Sequence, residues 1–254
     1  MRFFVASAVV SILASTASAQ SGGSVLAQNL PATPVKDPAG SGRLVQDAAF
    51  SDALLSEGGY FYSQALAQRF NVAAPSWTLS SLSAWGASEY IGQDAPSQTA
   101  LSSNVAALQV SILRIEGTTG QYPSVASWII PIAQVAQVQQ GTYINNIYSP
   151  VFRLDMALAN NITLASGSYI LTVGGVLTDP EGDAFGWVDG QADGSLPSTQ
   201  AFLTTGDVQG DWGFWAPVTN GTSGAFELRG VAVPAPGALA ALALAGIAGR
   251  RRRA

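Results

Sequence analysis

Apolar and polar residues alternate with a period of two along several short stretches of this chain. In VFRLDMAL (151–158), Phe152, Leu154, Met156 and Leu158 fall on one face, Arg153 and Asp155 on the other. That is the mark of a half-buried strand, whose successive side chains point to opposite sides of a sheet. NVAALQVSILRIEG sets Leu108, Val110 and Ile112 opposite Gln109 and Ser111, and AFELRG (225–230) sets Phe226 and Leu228 against Glu227 and Arg229. SYILTVGGVL (168–177) carries β-branched and aromatic residues around a strand core. YFYSQALAQRF, WTLSSLSAWG, ASWIIPIAQV and the region from FGWV to QAFLTT complete a set of about eight to ten short strands. Turn residues separate them, and no long helical period or strict repeat interrupts. The pattern predicts an all-β domain over residues 59–230, an antiparallel β-sandwich of jelly-roll type.

The two ends follow other patterns. Residues 1–19 begin with the basic Arg2 and an apolar stretch from Phe3 to Leu13, and close on Ala17-Ser18-Ala19 before Gln20. Small residues at Ala17 and Ala19 after a short apolar core predict a cleaved secretory signal peptide. Residues 20–58 open with a Gly-, Ser- and Pro-rich run, SGGSVLAQNLPATPVKDPAGSGRL, that shows no sustained period and reads as a flexible leader. QDAAFSDALLSEGG, near its end, has room for a helical turn or two. Residues 231–254 place Val233-Pro234-Ala235-Pro236 ahead of an apolar run, Ala238–Ala248, and four arginines, Arg250, Arg251, Arg252 and Arg253.

Charge and absences narrow the chemistry. The 254-residue chain has 16 acidic and 11 basic residues, but Arg2 and Arg250–Arg253 belong to the ends. The body is therefore strongly acidic, repels phosphate backbones and excludes nucleic acid as a partner. No Cys and no His occur, which removes disulfides, thiolate nucleophiles, the usual base of a serine hydrolase and the commonest zinc ligand. The expectation is a non-enzymatic, exported protein.

The C-terminal order of parts resembles the PEP-CTERM sorting signal of the exosortase system: a short Val-Pro-Glu-Pro-like motif, a hydrophobic stretch and a terminal Arg cluster. Ala235 stands where that motif has Glu. The resemblance implies a bacterial envelope protein whose partner is an exosortase-type membrane protease. Residues 164–169 (LASGSY) and 225–228 (AFEL) are similar to segments of β-sandwich regions found ahead of such tails. Physical reasoning supports the assignment of the tail. Two prolines one residue apart keep the motif extended and accessible. The apolar run alone makes a helix of only about 18 Å, against a hydrocarbon core of about 30 Å. The uncharged stretch from Gly230 to Gly249 is 20 residues long and spans roughly 30 Å as a helix. The arginines would hold its far end on the cytoplasmic side. A transient anchor that is cleaved and a permanent single span both fit this arithmetic; the Ala-rich run favours the former.

Two constellations are candidates for binding. Asp179, Glu181, Asp183, Asp189 and Asp193 crowd a glycine-containing stretch, and hard oxygen ligands on a loop suit Ca²⁺. Ala184 and Gly190 stand where an EF-hand loop starting at Asp179 needs Gly and Glu, and solvated turns account for the same residues. Trp187, Trp212 and Trp215 are candidate sugar-stacking platforms, with core filling as the alternative. Asn161 and Asn220 sit in glycosylation-like triplets and read as turn residues. The functional expectation is a structural component of the cell surface or extracellular matrix. The alternative is a carbohydrate-binding module for exopolysaccharide, with or without calcium.

Overall fold

A computed structural model describes residues 23–50, 52–54, 63–89, 99–116, 122–145, 147–179, 182–191, 199–203, 214–217 and 224–233. Fourteen strands occur among them: β1 (Ser24–Asn29), β2 (Val35–Lys36), β3 (Leu44–Gln46), β4 (Ala48–Phe50), β5 (Asp52–Leu54), β6 (Ser63–Glu89), β7 (Val105–Arg114), β8 (Ser124–Pro131), β9 (Ala136–Ile144), β10 (Pro150–Leu177), β11 (Ala184–Val188), β12 (Thr199–Leu203), β13 (Phe214–Pro217) and β14 (Phe226–Val233). A single 3₁₀ turn, Ile132–Gln134, is the one helical element among the described residues. No helix there is long and apolar enough to cross a membrane.

The sheet is built on β6 and β10, which pair antiparallel from Phe152–Gly86 to Thr172–Ala67. Both are too long to run as one flat strand beside one partner. On its other edge β10 meets β9 at Pro150–Asp155 and β7 at Tyr169–Leu177. The other edge of β6 takes β12, β14 and β11 in turn. Register shifts between Ala157 and Ile162 and between Ala165 and Gly167 bend the pair. At the first, Asn160 takes a left-handed backbone with φ 63°, which Asn tolerates better than other non-glycine residues. Asn161 therefore belongs to a bulged strand rather than to a connecting turn. Pro75 sits where the pairing of β6 skips from Val72 to Ser76, so its missing N–H costs no ladder bond.

The expected alternation is present. Phe152, Leu154, Met156 and Leu158 are buried, with Arg153 exposed and Asp155 half-buried on the opposite face. There Arg153 pairs with Asp155, which also accepts a bond from Ser83 Oγ, and Arg229 pairs with Glu227. The face of Phe152, Leu154, Met156 and Leu158 meets Leu79, Leu82, Leu108, Val110, Ile112, Leu171, Phe185 and Phe226 in one continuous cluster. Within it the Phe70 ring stacks on Trp77 and Tyr169, at 6.2 and 5.6 Å between centroids.

Two expectations are corrected. The sheet is mixed rather than antiparallel, because β3 runs parallel to β9 and β5 parallel to β10. Residues 24–54 are not a free leader: β1 pairs with β14, β3 with β9, β4 with β11 and β5 with β10. Of QDAAFSDALLSEGG (46–59), the expected place of a helical turn, the described residues 46, 48–50 and 52–54 belong to strands β3–β5, and residues 51 and 55–59 lie outside the described residues. These short strands lack a period of their own because their backbone groups are satisfied by partners far along the chain.

Candidate functional site

The acidic stretch divides at β11. On its N-terminal side, Asn104 holds a turn. Its Nδ2 donates to the carbonyls of Asp179 and Asp183, at 2.9 and 2.8 Å. Its Oδ1 accepts from the Asp179 amide and the Thr178 hydroxyl, at 2.7 and 2.8 Å. The Gly182 amide closes the turn onto the Asp179 carbonyl, and a side chain at Gly182 would collide with Asn104. These carbonyls are thus used in hydrogen bonding within the turn.

Asp189 lies at the other end of β11, with the five residues of that strand between it and Asp183, so six extended steps separate the two by roughly 20 Å. Its amide donates to the Asp47 carbonyl and its carbonyl accepts from the Ala32 amide, both at 2.9 Å. The carboxyl oxygen Oδ1 is buried without a hydrogen-bond partner. Burial first, and then the negative charge of Asp47, push the Asp189 carboxyl up to about 7. Asp179, Asp183 and Asp189 do not converge, and no group of three potential ligands of the Asp, Glu, His or Cys type forms among the described residues. Glu181 and Asp193 lie outside the described residues.

Trp187 is corrected from a candidate platform to a core residue. It is fully buried, its Nε1 donates to the Ala225 carbonyl at 2.8 Å, and its ring lies against Gly224, where a Cβ would collide with it. Trp77 and Trp85 are buried as well, and half-buried Trp128 donates to the Ala159 carbonyl. The backbone of Trp215 pairs with Ala201 in β12; its side chain and all of Trp212 fall outside the described residues.

The last feature is the chain exit. Val233, the first residue of the Val-Pro-Ala-Pro motif, is also the last residue of β14 and pairs with Ser76. Ser24, at the start of β1, pairs with Gly230 a few residues away. β1 therefore begins beside the end of β14, three residues short of Val233. Pro234, Ala235, Pro236, Arg250–Arg253, Ala17 and Ala19 lie outside the described residues.

No protein-family model, curated protein or solved structure matches the chain.

One cluster was missed by reasoning from sequence. Asp37 is buried, and its carboxylate accepts from the amides of Ala39 and Ser41 and from the Tyr148 hydroxyl, the last at 2.8 Å. Hydrogen bonding, led by the Ser41 side chain, holds it at about 2. The Arg43 guanidinium lies over the rings of Tyr143 and Tyr148, at 4.9 and 5.1 Å. The signal was present as Asp-Pro followed by two glycines, a turn sequence, but its partners lie a hundred residues on. The cluster pins residues 37–43 to the β9–β10 connection.

Proposed function

We propose that this protein is an exported, non-catalytic component of a bacterial cell surface or extracellular matrix, delivered by a cleaved signal peptide and a C-terminal sorting segment. Its body is a β-sandwich, with the β6–β10 pair lining the largest of its hydrophobic clusters. The tail engages the membrane at least transiently and an exosortase-type protease is its processing partner. The observation that carries this reading is the chain exit: the last residue of the sheet is the first residue of the Val-Pro-Ala-Pro motif. The motif therefore begins at the very end of the sheet, and its two prolines follow directly in sequence, where a membrane protease could take them as an extended strand.

The carbohydrate-binding alternative rests on Trp212 and Trp215, since the burial of Trp187 removes it from any sugar-facing surface. The test of the main reading is the double substitution Pro234→Ala and Pro236→Ala in a cell carrying an exosortase-type protease. The variant is expected to accumulate in the membrane fraction at full length, while the parent reaches the surface. Equal delivery of both would overturn the sorting role of the motif.

A further inference from the structure

The end of β14 and the outer end of the sorting segment claim the same residues. Gly230–Val233 pair with Leu79, Thr78, Trp77 and Ser76 of β6. The register is pinned at Gly230, where a Cβ would collide with the backbone of Thr78 and Leu79, so β14 cannot slip to release a residue at a time. Yet the uncharged stretch ahead of Arg250 reaches 20 residues only when counted from Gly230, which as a helix matches a core of about 30 Å. With β14 complete, 16 residues remain, Pro234 to Gly249. Even wholly helical, these cover about 24 Å. The sheet also leaves Val231 and Val233 61% and 41% exposed, so the end of β14 covers these apolar side chains only in part.

We propose that Gly230–Val233 form a shared segment, held either in the sheet as the end of β14 or in the bilayer as the outer end of the span. Completion of the fold then withdraws these residues from the membrane, shortens the anchor and draws the Val-Pro-Ala-Pro motif to the outer interface. Folding and stable anchoring compete, and the folded protein is the form poised for release. This rests on the sorting reading above.

The test uses the full chain reconstituted into phosphatidylethanolamine–phosphatidylglycerol vesicles, with the fraction resisting alkaline extraction as readout. Two variants are compared with the parent. An insertion of Ala-Leu-Ala-Leu after Leu244 restores the span length without touching the sheet. Gly230→Val blocks docking of the end of β14. Shortening a span by four residues leaves a mismatch of about 6 Å, so both variants are expected to be retained about tenfold better than the parent. Equal, strong retention of the parent and the insertion variant, with circular dichroism showing both folded, would overturn the competition while leaving the anchor intact. Failure of every chain, the insertion variant included, to be retained would overturn the anchor reading itself.

Discussion

Asp189 offers a quantitative check on the packing between the N-terminal strands and β11. Its carboxyl is moved from the ordinary 3.8 to about 7, by burial and then by Asp47. A raised carboxyl binds its proton more tightly in the folded state than in the unfolded one. Its contribution to stability is therefore greatest below about pH 4, falls as the pH climbs, and is fully lost above about pH 7. At about 1.4 kcal/mol per pH unit the shift is worth at most roughly 4 kcal/mol, and partial exposure lowers this to about 2–3 kcal/mol. Asp189→Asn keeps the shape, removes the charge and ends the repulsion with Asp47. We expect the variant to be more stable than the parent by about 2–3 kcal/mol at pH 8, with the gap closing near pH 4. Urea unfolding of both chains at intervals between these limits reads the difference directly, provided the slopes with denaturant agree. Parallel stability–pH curves for parent and variant would refute the assigned environment of Asp189.

Three further outcomes are expected. Gly224→Ala drives a methyl group into the buried Trp187 ring and should cost about 1–3 kcal/mol in chemical denaturation, partly recovered by adding Trp187→Phe; an unchanged midpoint would contradict the packing. Asn104→Ala removes the side chain that ties Thr178, Asp179 and Asp183. Because the turn is exposed and water can substitute, the loss should be about 1–2 kcal/mol, read as a lowered Tm. Asp37→Ala should speed proteolytic cleavage within residues 37–43. In the parent, Asp37 is held at about 2, so its protection should persist above about pH 4 and fade as the pH falls towards 2. Cleavage rates indifferent to both substitution and pH would remove Asp37 as the rivet.

The parts of the fold that were legible in the sequence are those whose partners matter least to their pattern. VFRLDMAL and AFELRG show alternation because one face of each meets the core and the other meets the Arg153–Asp155 and Arg229–Glu227 pairs. The strands β1–β5 were not legible. Each is short, their Gly and Pro content belongs to the connections between them, and their pairing depends on residues such as Gly230, Tyr143 and Gly175 that no local pattern announces. The same distance hid the Asp37–Tyr148 bond. In the candidate site, Trp187 could not be told from a surface platform, since aromatic residues serve cores and binding faces alike. The acidic residues were close in sequence, yet an extended strand between Asp183 and Asp189 separates them. Along an extended strand every residue adds about 3.3 Å, so neighbours in sequence are quickly carried apart.

The proposed role of the residues beyond β14 is that of an address, removed once read. Intact-mass and terminal-peptide analysis of the surface-delivered protein tests it most directly. The expected mature protein has its N-terminus at Gln20 and its C-terminus at or near Val233–Pro236. Surface protein that still carries Arg250–Arg253 would contradict it.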